Sequence, residues 1–176
     1  MLGKTHKVGG ICAGALTSSV LWQTTDFSEY ALVGIPVLMV FSIVGSLLPD
    51  IDHPNSKIGH RLKPISLMIN KMFGHRGATH TLLSLLVVSI GLFMINLSLP
   101  LDIQPFGWAG VVGMFVGYLS HLFLDALTPS GIPILSPFSK GKFRLAKLTT
   151  GKYDFLVSTA MIIGTGAYFY LSFPLN

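Results

Sequence analysis

The stretch YALVGIPVLMVFSIVGSLLPDIDHP, residues 30–54, decides the fold of this chain. Residues 30–48 carry no charged side chain. A helix needs about 20 predominantly apolar residues to cross the hydrocarbon core of a bilayer. Pro49 then ends the helix, and Asp50, Asp52 and His53 follow directly. The stretch therefore predicts a transmembrane helix that delivers ionisable side chains to the membrane surface.

The composition of the whole chain indicates the same class of protein. Of 176 residues, 51% are hydrophobic and 11% are charged, whereas a soluble protein carries roughly 25% charged residues. The length suits one domain, so residues 1–176 are interpreted as a single transmembrane unit. The single cysteine, Cys12, excludes an intrachain disulfide and argues against a thiolate metal cluster.

Five apolar segments approach the length of a transmembrane helix, and they cover residues 6–21, 30–48, 81–99, 106–127 and 153–173. We predict an all-α integral membrane bundle of about five transmembrane helices with two cytoplasmic loops. The pairs Gly10 and Gly14, and Gly113 and Gly117, form small-xxx-small patterns that allow close helix packing in lipid.

The basic residues set the direction of these segments. With alternating direction, every Lys and Arg falls on one face, which the positive-inside rule assigns to the cytoplasm. The turns that hold Asp26 and Glu29, and Asp102, then lie outside. We predict a multi-pass protein of the cell membrane whose N-terminus is cytoplasmic and whose C-terminus is outside. Membrane lipids are the expected partners, and nucleic acid is not expected, because no basic helix stands clear of the membrane segments.

Two loop segments have recognisable patterns. Residues 64–73 repeat apolar side chains at helical spacing and predict a short helix, which either lies in the membrane interface or packs on the bundle. Residues 142–148 alternate loosely and predict a small hairpin on the membrane surface.

His121 and Asp125 are the first candidates for chemistry. They lie four residues apart near the cytoplasmic end of the fourth segment, so a helix places them on one face. A buried carboxylate needs a cation, and a metal shared with the histidine would supply one. The alternative is a His–Asp hydrogen bond that joins two helices.

The loop motifs add further candidates. In extended backbone Asp50 and Asp52 would point the same way and suit a pair of metal ions, although Asp and Pro together are also common in turns. His80 lies in the first turn of the third segment, and His75 reaches the site from the loop before it. His6 opens the first segment and Asp154 opens the fifth.

The strength of the prediction lies in this convergence on one layer. Neutral imidazole and carboxylate suit zinc, manganese or iron, and more than four ligands are compatible with two ions. The predicted metal ligands are His6, Asp50, His75, His80, His121, Asp125 and Asp154. Asp52 and Arg76 are the predicted catalytic residues. Asp52 would move a proton, and Arg76 would hold phosphoryl oxygens.

Together these motifs resemble the YdjM-like family of predicted membrane-bound metal-dependent hydrolases. The signatures are an early His6, Leu-Pro-Asp50-Ile-Asp52-His53-Pro, His75-Arg76-Gly-Ala-Thr79-His80-Thr, and Gly117-Tyr-Leu-Ser-His121-Leu-Phe-Leu-Asp125-Ala-Leu-Thr-Pro129-Ser-Gly. Asp154 fits the acidic residue that the family usually has near the start of the last span. The resemblance implies hydrolase activity.

The His-x-x-x-Asp element in a helical setting is also distantly similar to zinc-dependent phospholipases C. That similarity implies a phosphodiester or phospholipid substrate. Two other classes of function remain open at this point. One is a non-catalytic metal-binding or ion-transport membrane protein, and the other is a structural bundle whose ion pairs only fix helix register.

Overall fold

The computed structural model describes residues 1–24, 31–74 and 76–173. Within these ranges the α-helices are α1 Gly3–Thr24, α2 Ala31–Leu47, α3 Lys57–Arg61, α4 Lys63–Phe73, α5 Leu82–Leu97, α6 Gln104–Ala126 and α7 Asp154–Ser172. Two short 3-10 helices, Leu48–Asp52 and Ala78–His80, follow α2 and precede α5. The predicted all-α class is confirmed.

Several helices match the demands of a bilayer. The segments Ala31–Asp52, Gln104–Ala126 and Asp154–Ser172 are long and apolar enough to cross a membrane, and Leu82–Leu97 is a shorter apolar helix. Together with α1 they lie on the five segments that the sequence indicates. The division into five spans, and the side on which each end lies, stay predictions.

Helix α6 is the centre of the bundle and packs against α1, α2 and α5. Its contact with α2 is the most extensive, because glycine lets the two backbones approach closely. A Cβ atom on Gly113 would collide with the Leu38 carbonyl, and one on Gly117 with the Ser42 carbonyl. The Ser42 hydroxyl also donates a 2.7 Å hydrogen bond to the Gly10 carbonyl of α1. Three helices are therefore joined at this level.

Contacts at one end of the bundle show in which direction several helices run. The starts of α1 and α7 lie at this end together with the ends of α2 and α6. The start of α1 contacts the end of α6 through Met1 and Asp125, and the start of α7 through Thr5 and Asp154. The end of α2 contacts α6 through Ser46 and His121. All twelve Lys and Arg residues fall in the start of α1 or in the two segments that connect helices at this end.

The two connecting segments differ from each other. The predicted short helix forms as α4, which contacts α3 and the first 3-10 helix. The segment between α6 and α7 folds back on the bundle, where Ile132 is fully buried against α5 and α6. Ile132 and Phe143 form an isolated antiparallel bridge. The hairpin predicted over residues 142–148, all of which the structure describes, does not form, because Phe143 pairs with Ile132 while the N–H groups of Leu145 and Leu148 donate to the Ala126 and Leu127 carbonyls at the end of α6.

Some predictions lie outside the described residues. These are the outer turn with Asp26 and Glu29, the C-terminal residues 174–176, and the metal-ligand assignment of His75.

Candidate metal centre

His121 is held in one orientation by the backbone of α2. Its side chain is fully buried, and its Nδ1 lies 2.8 Å from the Ser46 carbonyl oxygen. A carbonyl only accepts, so Nδ1 carries the proton and donates it there. The other nitrogen, Nε2, therefore presents a lone pair to the interior of the site. This is the arrangement by which proteins orient metal-binding histidines.

His80 is oriented in the same way by Asp52 of the first 3-10 helix and Thr79 of the second. Its Nδ1 lies 3.2 Å from Asp52 Oδ2 and 3.1 Å from the Thr79 hydroxyl. Its Nε2 lies 3.2 Å from His121 Nε2 and 3.5 Å from Asp125 Oδ2. The Asp52 carboxylate behind the ring and the Nε2 edge that faces His121 and Asp125 form the carboxylate–histidine pattern of metal sites.

His6 approaches from α1 and stacks on His121, with ring centroids 3.7 Å apart. It is fully buried, and its Nδ1 has no hydrogen-bonding partner within the part of the chain that the structure describes. Its Nε2 lies 3.3 Å from Asp125 Oδ1. A buried ring nitrogen without a hydrogen-bonding partner costs free energy unless another ligand, such as a metal, satisfies the ring.

The donors fit the dimensions of a metal ion. The pairwise distances among His80 Nε2, His121 Nε2 and Asp125 Oδ2 are 3.2, 3.5 and 3.8 Å. A tetrahedral site with bonds of 2.0–2.1 Å has ligand–ligand distances of about 3.3 Å. His6 and Asp50 extend this triangle, since each forms a group with His121 in which all ligand atoms lie within 4.8 Å.

The charges of the cluster also call for a cation. The carboxylates of Asp50, Asp52 and Asp125 converge here, and the described cations in contact with them are Arg76 and the Met1 amino group. With neutral imidazoles the negative charges outnumber the positive ones. Asp125 is 1% exposed, where an uncompensated charge is expensive. The chemistry and charge of this donor set fit a divalent metal.

Arg76 lies at the boundary between this cluster and the surface. Its Nη2 is 3.0 Å from Asp125 Oδ2, and its Nη1 donates to the Thr128 hydroxyl at 2.8 Å. Its backbone has φ 58°, a left-handed conformation that is uncommon for residues other than glycine. The Arg76 N–H donates to Asp52 Oδ2 at 2.8 Å, which holds the backbone in this conformation.

The protonation of His80 follows from its neighbours. Burial lowers the pKa of His80, but hydrogen bonds to Asp125 and Asp52 act in the opposite direction. The net pKa lies above its ordinary value. His80 lies in the second 3-10 helix, outside the membrane-spanning helices. Its raised pKa means that the imidazole binds a proton readily when no metal competes for the ring.

Asp50 and Asp52 do not point the same way. Extended backbone was expected here, but residues 48–52 form a 3-10 helix. In a helix with three residues per turn, positions two apart are separated by about 240°. Asp50 Oδ1 accordingly lies 3.9 Å from His121 Nε2, whereas Asp52 is fully buried behind His80.

Asp154 belongs to neither group of possible metal ligands. Its Oδ1 accepts hydrogen bonds from the Leu2 N–H at 2.7 Å and the Thr5 hydroxyl at 2.6 Å, and its Oδ2 accepts one from the Gly151 N–H at 2.6 Å. Asp154 thus caps the start of α1 and fixes that helix, which carries His6, against α7. The predicted residues that the structure brings together are His6, Asp50, Asp52, Arg76, His80, His121 and Asp125.

Several supporting residues were missing from the sequence-based prediction. The Thr79 hydroxyl donates to Asp52 Oδ2 at 2.7 Å, and the Asn70 amide donates to the Asp52 carbonyl at 2.8 Å. Thr79 and Thr128 lie within the same sequence motifs as the predicted ligands His80 and Asp125. Their hydroxyl groups could therefore have been predicted as hydrogen-bonding partners of the site. Ser46 acts through its backbone carbonyl, which leaves no trace in the sequence.

A partly open cavity of about 550 Å³ adjoins the cluster. Asp50 and Arg76 line it, together with residues from the start of α1, the end of α2 and the start of α3. Its volume is within the range of about 300–1,000 Å³ that is typical of ligand sites. A ligand in the cavity would therefore meet the exposed edge of the cluster.

A helical membrane bundle with a buried His–Asp cluster at one end is the class of protein that fold and site define. Comparison with known sequences agrees with the membrane location. The family described as YdjM inner membrane protein matches residues 1–173, and the chain belongs to this family.

Individual relatives cover different parts of the chain. The inner membrane proteins YdjM of Escherichia coli (strain K12) and Shigella flexneri are each 44% identical over 115 residues, which are 63% of this chain and 54% of theirs. The match thus covers about half of the length of these relatives. The protein YvsG of Bacillus subtilis (strain 168), described as uncharacterised, is 36% identical over 98% of this chain and 97% of its own. No solved structure matches the chain.

Proposed function

We propose that this membrane protein is a metal-dependent hydrolase that acts at the cytoplasmic membrane interface on a phospholipid or another phosphodiester. The observation that carries the proposal is the convergence of His80, His121 and Asp125. All three are buried. Ser46 and Asp52 hold the Nδ1 atoms of His121 and His80, so that the Nε2 lone pair of each ring points towards the other metal-ligand atoms. The alternative is a structural bundle whose ion pairs only fix helix register. Such a bundle would not need three imidazoles, one pair stacked and one pair edge-to-face, around a single carboxylate.

The proposed ion is divalent, with zinc preferred and manganese or iron as alternatives, because imidazole and carboxylate suit these metals. His80, His121 and Asp125 would hold it, with His6 and Asp50 on either side. A single ion is favoured, because the Nδ1 of His121 is committed to Ser46 and its Nε2 can serve only one metal. A bound ion would lower the pKa of a water molecule and polarise a phosphoryl oxygen.

The remaining residues divide the other tasks. The Asp50 side chain is 17% exposed and lines the cavity, so it can take a proton from water or return one to a leaving group. Arg76 lines the same cavity and offers N–H groups to phosphate oxygens. Asp52 is fully buried and accepts hydrogen bonds from Arg76 and Thr79, so we assign it a positioning role towards His80 in place of proton transfer.

Helix α4 supports an interfacial location. Its polar residues Ser66 and Asn70 face the protein, where Ser66 is buried and Asn70 bonds to Asp52. Its apolar residues Ile65, Met68 and Met72 are 46%, 57% and 64% exposed. An apolar face that turns away from the protein beside basic residues suits the surface of an anionic leaflet. On the positive-inside rule this end, with the N-terminus, is cytoplasmic and the C-terminus is outside.

The test starts with bound metal. The full chain is purified in mild detergent, loaded with zinc, manganese or iron, and its metal content is measured for wild type, His121→Ala and Asp125→Ala. We expect stoichiometric metal in wild type and loss in both variants. His60→Ala is the matched control, because His60 is an exposed histidine of α3 that belongs to neither cluster group.

The second part of the test is turnover. Metal-loaded protein should cleave at least one member of a panel of phospholipids and phosphodiesters, and a chelator should stop the reaction. Wild-type protein that binds no metal under any loading condition would refute the proposal. Bound metal without cleavage of any substrate would favour the non-catalytic metal-binding or ion-transport alternative.

A further inference from the structure

The cavity beside the cluster has a basic wall that the metal centre does not use. Lys4 of α1 and Lys57 of α3 line it from separate elements, and Arg76 lines it next to the cluster. Asp50 is the acidic residue among its described lining, and Asp50 also faces His121. The cavity thus presents cations to a ligand from several sides, and these three cations outnumber the one carboxylate in its described lining.

This charge arrangement discriminates between head groups. Lys and Arg form charge-assisted hydrogen bonds with phosphate oxygens. A head group that also carries an ammonium, such as choline or ethanolamine, would bring a second cation near Lys4 and Lys57. Like charges in one partly enclosed site repel each other, and within the described lining no second carboxylate offsets that repulsion. Head groups without an ammonium avoid the penalty.

The rest of the lining fits the remainder of a lipid. Leu47 at the end of α2 and Ile58 of α3 give the cavity an apolar side. Leu47 belongs to a helix that is long and apolar enough to cross a membrane, and a membrane around that helix would border this side of the cavity. A phosphate ester could place its head against the lysines while its glycerol backbone and first acyl carbons contact Leu47 and Ile58.

We propose that this cavity is a head-group site for anionic lipid phosphate esters that carry no ammonium group, and that Lys4 and Lys57 are its specificity-determining residues. The proposal deepens the proposed function, on which it rests for the identity of the reacting group. Binding of the head group itself can be measured without any hydrolysis.

The experiment uses the full metal-loaded chain in detergent and probes that resist cleavage. Binding of a short-chain phosphonate analogue of phosphatidylglycerol is compared by calorimetry with binding of the phosphatidylcholine analogue and of inorganic phosphate. The variants are Lys4→Gln with Lys57→Gln, and, as a matched control, Lys63→Gln with Lys71→Gln. The control removes the same charge from α4, outside the cavity lining. Metal content is measured for every variant.

We expect wild type to prefer the phosphatidylglycerol analogue, and the Lys4 and Lys57 variant to lose that affinity by roughly tenfold or more. The control variant should keep the preference, and metal content should not change. If both double variants lose affinity for the phosphatidylglycerol analogue equally, the effect comes from general surface charge and the proposal is overturned. Equal affinity for the phosphatidylcholine analogue would overturn it as well.

Two further outcomes separate the ligand sources and the two proposals. If inorganic phosphate binds as tightly as the lipid analogue, the site takes a soluble phosphate and the lipid assignment is wrong. If wild type holds no metal but still shows the lysine-dependent preference, the head-group site stands and the hydrolase proposal falls. If substitution of both lysines leaves metal-dependent hydrolysis unchanged, the hydrolase proposal stands and the head-group site falls.

Discussion

Asp52 Oδ2 lies 3.2 Å from His80 Nδ1, while the other ring nitrogen of His80 lies 3.5 Å from Asp125 Oδ2. The imidazole is thus held between a carboxylate that orients it and a carboxylate that shares its proposed metal. Asp52 in turn is fixed by the Arg76 N–H and the Thr79 hydroxyl. The orientation of His80 therefore depends on residues from both ends of the connection between α2 and α5.

The first prediction concerns this orienting carboxylate. Asp52→Asn keeps the shape of the side chain but removes the charge behind His80. We expect metal affinity to fall about 10–100-fold, the usual effect of losing such a partner, without loss of the binding site. The measurement is a competition titration against a chelator of known affinity.

Asp102→Asn is the control for Asp52→Asn, because it removes one carboxylate charge from an exposed position. Its metal affinity should equal that of wild type. Complete loss of metal in Asp52→Asn would instead make Asp52 a direct ligand, and unchanged affinity would mean that His80 needs no orienting partner.

The sequence predicts some parts of the site well for a physical reason. His121 and Asp125 share a helix, so their spacing alone places them on one face. The structure agrees, with His121 Nε2 and Asp125 Oδ2 3.8 Å apart. The long helices follow in the same way from uninterrupted apolar segments, because hydrophobic length is visible in the sequence.

Other parts depend on packing that no local pattern encodes. The separate directions of Asp50 and Asp52 depend on a 3-10 helix in place of extended backbone. The role of Asp154 as a cap depends on the contact of α7 with the start of α1, two elements at opposite ends of the chain. Spacing between such distant residues carries no information about their separation in the fold.

The second prediction concerns pH. In the metal-free protein the pKa of His80 lies above its ordinary value of 6.5, so the folded state binds this proton more tightly than the unfolded chain does. The stabilisation is complete below that ordinary value and is lost as pH rises through the raised pKa. Metal-free protein should therefore unfold at a lower temperature at about pH 8.5 than at about pH 6.

Metal-loaded protein should show the opposite trend over the acidic part of this range, because protons compete with metal for the histidines. Thermal unfolding of chelator-treated and metal-loaded samples tests both trends. In His80→Gln the fall in stability of the metal-free protein towards high pH should become smaller. A fall of equal size in that variant would assign the effect to another group.

The third prediction concerns the contact between α2 and α6. Gly117→Leu places a side chain where a Cβ atom already meets the Ser42 backbone, and backbone cannot give way as a flexible side chain can. We expect a loss of about 1–3 kcal/mol in stability, as for other overpacked positions, and a lower unfolding temperature in detergent. Gly166→Leu on α7 is the control, since no atom lies within 4 Å of a Cβ built there. Equal behaviour of the two variants would contradict close packing at Gly117.

The last prediction separates two roles for Asp154. As a cap, its carboxylate accepts hydrogen bonds from Leu2 and Thr5 at the start of α1. Asp154→Ala should then cost about 1 kcal/mol of stability, as other lost caps do, and leave metal stoichiometry unchanged. Thr5→Val removes one of the same hydrogen bonds and keeps the carboxylate, so it should show a smaller loss of the same kind. If Asp154→Ala loses its metal while Thr5→Val retains it, Asp154 is a ligand after all, and the start of α7 must move towards His6 when metal binds.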